Sequence, residues 1–390
     1  MSTVLVLSAD TMLARVIAKN LHGHGYGVLA ADCVQNQICS YSKYVSKTFV
    51  HADHKTDEQA FIDDVMRICI DNGVDILMPV LGEAAPISRS RGELERHVSM
   101  LVGDAEALQV FSNKYHTYEL ARGAGLKVPE YWAVERLAAE TSLADEVTYP
   151  SLAKPVWGWG GYGMTEFTNA TALRTFIAGM EPRQRADYFV QRRMSGDVVC
   201  VAMICAGGKA HAWDSYRIVA TYPSRYGQST VRETVCSDAA VDALKALLAY
   251  VEWTGVCQAD FIVEPDTGDA YLIDVNARYW NSLVQSTARG IDFPYYYCLL
   301  SQGRMNFTVL PRSYSVTTAW LSRAVRGSLP LVMRRTAMGM LSGEREQAIV
   351  ECDDWDIHDP LPFFAWPIRS VCRKVMQALP ESMRRYTRSL

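Results

Sequence analysis

Through its first hundred residues the chain alternates short, continuous apolar runs with stretches whose apolar positions recur every three or four residues. TVLVLSAD (3–10) has the length and continuity of a buried strand, and TMLARVIAKNLHGHG (11–25) follows it with Met12, Leu13, Val16, Ile17 and Leu21 on one helical face. YGVLAAD (26–32) predicts a second strand. DEQAFIDDVMRICIDNG (57–73) predicts a helix ended by Gly73, and VDILMPV (74–80) another strand. Continuous apolar strands separated by helices imply a doubly wound parallel sheet over residues 1–110, α/β in class. Ligands of such sheets sit beyond the strands' carboxyl ends, which makes Glu83, after VDILMPV, a candidate substrate contact; the competing reading is a solvated loop acid.

From residue 111 the pattern changes. NKYHTYELARGAGLKVPEYWAV (113–134) predicts a helix ending near Gly123 or Gly125, with Pro129 introducing a strand. YPSLAKPVWGWGGYGMTEF (149–167) predicts a strand, a glycine-rich loop and a strand, and ATALRTFIAGM (170–180) a short helix. Strands are expected on either side of Ser195-Gly196, a helix over DALKALLAYVEWTG (242–255), and a hairpin over CQADFIVEPDTGDAYLIDVNAR (257–278). The expected organisation is a two-lobed α+β unit over 111–300, with a glycine-loop lid around 127–190, and a C-terminal extension over 301–390.

The hairpin carries the first chemistry. Successive strand side chains point to opposite faces, so Asp274, Asn276 and Arg278 share one face while Ile273, Val275 and Ala277 share the other. Pairing Glu264 with Ala270 across PDTGD sets Asp260 opposite Asp274, with Cβ atoms about 4.5–5.5 Å apart. Two carboxylates that close call for a cation, and two acids with an amide oxygen suit Mg²⁺, whose other ligands are water and phosphate. A bulge would shift this register.

GWGGYG (158–163) has the G-x-G-x-x-G spacing but lies between two strands, with no helix opening at its last glycine, so it is not a dinucleotide fingerprint. A kinase loop would place its lysine after the glycines, whereas Lys154 precedes them. What remains is a strand-loop-strand flap able to cover phosphates, with Lys154 at the strand end and Lys114 as a second cation.

Taken together, Lys114, Lys154-Pro155 with the glycine flap, Asp260 and DVNAR resemble the ATP-grasp superfamily of carboxylate-amine ligases over roughly residues 1–300. The resemblance implies ATP and Mg²⁺ (or Mn²⁺) as cofactors. It implies Lys114, Lys154, Gly158, Gly160, Gly161 and Gly163 around the phosphates, and Gln191, Arg192 and Met194 in the adenine hinge, where relatives often carry glutamate in place of Gln191. Asp197 would hold the ribose, Asp260, Asp274 and Asn276 the metal, and Arg278, with Lys154, would act on the transferred phosphoryl group. Relatives often place a loop like YPSRYGQSTVRET (222–234) beside the acceptor, which makes Arg232 a candidate carboxylate ligand, with a surface arginine as the competing reading. The implied activity is ATP-dependent amide formation through an acyl phosphate between small-molecule carboxylate and amine substrates. A bicarbonate-using carboxylase and a non-catalytic nucleotide-binding protein are the alternatives.

Composition narrows these classes. A net charge of -4 gives no basic footprint for nucleic acid, and 390 residues exceed one core, so two or three domains are expected. The ten cysteines form no Cys-x-x-Cys pair, and no basic leader or bilayer-length apolar run is present, which predicts a cytoplasmic protein. ECDDWDIHDP (351–360) is expected to be a solvated acidic loop rather than a second metal site. The tail from Trp366 is basic, with Ile368, Val371, Val375, Met376 and Leu379 on one helical face, fit for an anionic membrane surface or for docking on the protein's own core or on a partner.

Overall fold

The structure is a computed structural model that describes residues 2–158, 160–309, 311, 315–341 and 349–378. The first four strands, β1 (Thr3–Val6), β2 (Gly27–Asp32), β3 (Lys47–Val50) and β4 (Ile76–Met78), form a parallel sheet in the order β3-β2-β1-β4. β3 is the strand that apolar continuity misses, because Lys47 and Val50 at its ends are exposed on the sheet edge. The helix Met12–Gly23 starts where Thr11 accepts from the Ala14 amide, the helix Glu58–Asp71 where Asp57 does the same for Ala60.

A small lobe follows, an antiparallel sheet in the order β5-β8-β6-β7 built from β5 (Tyr131–Ala133), β6 (Ser151–Pro155), β7 (Thr165–Phe167) and β8 (Tyr188–Arg192). It has its own core of Val134, Leu137, Phe167, Leu173 and Val190. The large lobe is a seven-stranded sheet, β13-β12-β9-β10-β11-β14-β15. It contains β9 (Asp197–Ala206), β10 (Lys209–Tyr222), β11 (Gln228–Thr234), β12 (Gly255–Val263), β13 (Ala270–Asn276), β14 (Thr317–Ala319) and β15 (Ile349–Cys352).

The N-terminal sheet and the large lobe share their cores. Leu5, Leu77 and Phe61 pack in one cluster with Val201, Phe261 and Leu272, and Val4, Ile17 and Met78 in another with Ile204, Tyr279 and Phe293. Two sheets joined by common cores form one rigid block, while the small lobe, whose main cluster is its own, is the part free to hinge.

The C-terminal extension is not a separate appendage: β14 pairs with β11 and carries β15 onto the same sheet. The acidic segment that follows is not solvated either. Asp353, Asp354, Asp356 and Asp359 are all buried. Asp356 meets Arg15 at 3.5 Å, Lys19 at 3.3 Å and the Tyr44 hydroxyl at 3.0 Å. Asp359 accepts from Ser42 and from the Lys43 amide, and Asp354 from the amides of Leu321 and Ser322. Composition reads these acids as a solvated loop because it does not see partners distant in sequence: Arg15, Lys19 and Tyr44 lie more than 300 residues from Asp356, as Ser42 and Lys43 do from Asp359. Of the expected amphipathic tail, the backbone is described to the end of the helix Leu361–Ala378, where Ile368 is exposed. Leu379 and the residues after it lie outside the described residues. Among the described residues no helix is long and apolar enough to cross a membrane.

Arg232, expected beside an acceptor substrate, lies in β11, fully buried, and donates to Asp353. Breaking a buried pair from one side leaves an uncompensated charge, at a cost of about 3–5 kcal/mol. Arg232→Ala should therefore lower the unfolding free energy by roughly 3 kcal/mol in urea titration. A loss under about 1 kcal/mol would show that the pair does not fasten the extension.

Candidate active site

The small and large lobes meet at a cleft of 460 Å³ lined by Lys114, Lys154, Gly158, Gly160, Gly161, Asp197, Asp260, Asp274, Asn276 and Arg278. Residues drawn from a helix, two lobes and a loop thus converge on one space.

Asp260 and Asp274 stand directly opposite each other, as the hairpin reading expects, but by another route. At the turn Val263, not Glu264, pairs with Ala270, a slip of one residue. A bulge between Asp260 and Phe261 leaves Ile273 as the extra residue and restores the register at the two acids. Ile273 consequently faces the cleft instead of sharing the core face with Val275, and Leu272 takes the core position. Its carbonyl accepts from the Lys154 ammonium at 3.1 Å and from the Tyr118 hydroxyl at 3.4 Å.

Each cation is held by a named device. Asn113 caps the helix Lys114–Gly123 by accepting from the amides of Tyr115 and His116, and the Lys114 amide donates to Val156. Lys114 and Tyr118, four residues apart, lie on one face of this helix. The Lys114 ammonium lies 2.6 Å from Asp274. Lys154, on β6, is buried and donates to Gln191 at 3.1 Å; Tyr118 donates to the same Gln191 oxygen at 2.7 Å. Burial, reinforced by Lys114, lowers the Lys154 ammonium to about 8, against the pull of Asp274 and Asp260. Burial, and then the facing Asp274, pushes the Asp260 carboxyl up.

Arg278 follows the end of β13. It donates to the Asn276 side-chain oxygen and to the Tyr279 carbonyl, both at 2.8 Å. Burial pulls its guanidinium down, and Asp274, Asp260 and Glu83 act in the opposite sense. Gln258, two residues before Asp260 and on the same face of β12, joins the group: its amide donates to Asp260 and its oxygen accepts from Asn276 at 2.8 Å. Sequence reasoning passed over Gln258, although the same two-residue alternation that singled out Asp274 and Asn276 reaches it.

A divalent ion fits this donor set. Among the described residues no three histidine, cysteine or acidic side chains gather to cage a metal. Two facing carboxylates with an amide oxygen instead match Mg²⁺, which keeps most of its ligands as water and phosphate.

The flap is closed over the cleft. Gly158, Gly160, Gly161 and Gly163 all have positive φ, and a Cβ on Gly161 would lie 1.9 Å from the Tyr226 carbonyl oxygen, so only glycine permits this approach. Glu166 on β7 secures it, accepting from Tyr226 at 2.7 Å and from Arg225, with Arg193 at 3.6 Å.

The other expected residues fall elsewhere. Gly163 packs against Pro155, outside the cleft lining. Gln191 is buried beneath Lys154, Met194 is buried, and the Arg192 amide is taken by the Glu130 carbonyl; none of the three lines the cleft. Asp197 does line it, 3.1 Å from Arg217. Glu83 is not a loop contact: it is buried outside the cleft, and its carboxylate accepts from Ser8 and from the Leu81 amide.

Comparison with known proteins agrees with this geometry: the sequence matches the ATP-grasp domain family over residues 111–282. This segment is an ATP-grasp domain. The chain is 23% identical over 284 residues to the N-terminal section of the carbamoyl phosphate synthase large chain of Aquifex aeolicus, covering 67% of this chain and 48% of that one. It is 25% identical over 206 residues to a D-alanine–D-alanine ligase of Albidiferax ferrireducens, 48% of this chain and 59% of the relative. It therefore spans about half the length of the curated relatives it matches. Its fold is like that of the biotin carboxylase domain of Hydrogenobacter thermophilus 2-oxoglutarate carboxylase, solved with MgADP, ADP and bicarbonate. The TM-score is 0.64 at 14% identity, over 81% of this chain and 74% of that one.

Lys154 makes the site of this ATP-grasp domain sensitive to pH. The ammonium is charged below about 8 and loses its proton above it, so a phosphate held by Lys154 would bind more weakly as pH rises through that value. ADP titrations from pH 6.5 to 9.5 should show the dissociation constant rising above about 8. Gln191→Glu, by setting a carboxylate beside the ammonium, should move the break up by about one unit or more. A flat profile, or no displacement in the variant, would remove Lys154 from the phosphate site.

Proposed function

We propose that this chain is an ATP-dependent carboxylate-amine ligase that forms an amide bond through an acyl phosphate, releases ADP and phosphate, and takes a small amine or amino acid as acceptor. The observation that carries this reading is the convergence of Asp260, Asp274 and Asn276 with Lys114, Lys154 and Arg278 on one cleft beneath a glycine flap. The match to a D-alanine–D-alanine ligase supports it.

In this reading Asp197, which lines the cleft, receives the ribose, whereas Gln191, Arg192 and Met194 lie behind the lining and are not assigned the adenine. Lys114 and Lys154 hold the phosphates beneath Gly158, Gly160 and Gly161, with Gly163 at the base of the flap. Asp260, Asp274 and Asn276 would hold Mg²⁺ or Mn²⁺, which would supply charge neutralisation at the transferring phosphoryl group. Lys114, 2.6 Å from Asp274, would turn from that carboxylate to the phosphates.

A carboxylate oxygen of the substrate attacks the γ-phosphorus. The bond to the bridging oxygen breaks, and ADP departs with its electron pair. Arg278, clamped by Asn276 and the Tyr279 carbonyl, presents its remaining N–H groups to the phosphoryl oxygens as charge spreads over them. The amine nitrogen then attacks the acyl carbon, phosphate leaves with the carbon–oxygen pair, and the nitrogen gives up a proton. The flap held by Glu166 keeps water from the acyl phosphate.

A second reading, a bicarbonate-using carboxylase, is favoured by the fold shared with the biotin carboxylase domain. One experiment separates the two. With MgATP, a panel of carboxylates and hydroxylamine, a ligase should release ADP and yield a hydroxamate, and Asp274→Asn should reduce both by roughly 100-fold or more. ADP release dependent on bicarbonate alone would select the carboxylase; AMP and pyrophosphate would exclude the acyl-phosphate route. ADP binding without turnover on any carboxylate would leave a nucleotide-binding role.

A further inference from the structure

Next to the cleft lies a second chamber of 150 Å³. Its apolar wall is Met12, Leu13 and Val16 at the start of the first helix, faced by Trp320 and Trp366 from the C-terminal extension. Asn281 and Trp320 line both spaces, so the chamber adjoins the cleft three residues beyond Arg278.

Two acids complete the wall. Asp10 is engaged, with Arg369 at 2.8 Å and the Ile38 amide at 3.2 Å. Asp353 is 3% exposed; one oxygen accepts from Arg232, and the other, Oδ1, makes no hydrogen bond among the described residues, nor do Nε and Nη1 of that same arginine. The Trp320 indole nitrogen, in a side chain 7% exposed, is likewise without a hydrogen bond. Buried polar atoms seldom stay unsatisfied unless a ligand or water completes them, and a carboxylate oxygen can only accept.

We propose that this chamber binds the amine acceptor of the ligase reaction, and that the acceptor is a small primary ammonium compound with an apolar body. The inference rests on the ligase reading for the word acceptor, and on the chamber alone for the chemistry. A cavity of 150 Å³ holds roughly a benzene-sized molecule, about six heavy atoms, which sets the size. Asp353 Oδ1 accepts from an N–H of the ammonium and takes the proton that the nitrogen must lose before it attacks the acyl carbon. Two indoles supply faces for the cation and for its apolar body, although Arg323 already stacks 4.1 Å from Trp320, which leaves Trp366 the freer ring. Burial pushes the Asp353 carboxyl up to about 6, and an ammonium beside it would return it to the charged form.

This makes the C-terminal extension a specificity element. The ATP-grasp match ends at residue 282, and the walls that read the acceptor come from Trp320, Asp353 and Trp366 and from the first helix.

The test is calorimetric titration of the full chain, saturated with MgADP, with isobutylamine, β-alanine and L-alanine, and with isobutanol as the neutral counterpart of isobutylamine. At least one amine should bind, and isobutanol should not. Trp366→Ala and Asp353→Asn should each weaken that amine about tenfold or more, with Trp366→Phe recovering most of the loss. ADP affinity, measured in parallel, reports that each variant is folded. Equal binding of isobutylamine and isobutanol, or amine binding untouched in folded Trp366→Ala, would overturn the proposal, as would no amine bound by the wild type. If the amine pattern holds while no carboxylate yields a hydroxamate, the chamber is an ammonium site and the ligase reading fails.

Discussion

Two carboxylates set face to face on neighbouring strands are the constraint around which the rest is arranged. Two unit charges roughly 5 Å apart repel by about 3 kcal/mol at an effective dielectric of about 20, and burial adds to that cost. Asp260 and Asp274 tolerate it because Lys114 sits on one, Gln258 donates to the other, and Arg278 and Lys154 stand close by. A pair that needs borrowed cations at rest is a pair prepared for a better one. Lys154 is held by neutral oxygens, those of Gln191 and the Ile273 carbonyl, and among the described residues no carboxylate is hydrogen-bonded to it.

The division into a rigid block and a separately cored small lobe gives this charge cluster its mechanical setting. The metal-binding candidates, Arg278 and the N-terminal sheet belong to the block, whereas Lys154, Gln191 and the glycine flap ride on the small lobe. The small lobe meets the block at Glu166 with Arg225 and Tyr226, at Lys154 with the Ile273 carbonyl, and at Tyr118, which donates to Gln191 and packs with Val156 and Phe189. Parting of the lobe would break these contacts without exposing either of the two large cores.

Sequence alone disclosed the parallel sheet, the strand-loop-strand flap and the facing acids, because each rests on a local rule: apolar continuity, glycine between strands, alternation along a hairpin. Where distance along the chain enters, it was silent. The slip at Val263 and the bulge at Ile273 compensate each other, so the expected pairing of Asp260 with Asp274 was right while the pairing at the turn was not. Glu83 and Arg232 have the residue types of ligand contacts, yet both are buried against partners that no spacing reveals, Ser8 for one and Asp353 for the other. The acids of 353–359 looked solvated for the same reason.

Those acids have a consequence for how the molecule is made. Arg15, 2% exposed, meets Asp353 and Asp356 from more than 330 positions along the chain, and the Arg232 of β11 waits for the same segment. A ribosome delivers the first helix long before these counterions exist. The N-terminal sheet can take its shape early, but its first helix carries an unmatched guanidinium until residues 353–356 have emerged. Completion of the N-terminal domain therefore waits for that segment, and a chain cut before it leaves Arg15 without its partners.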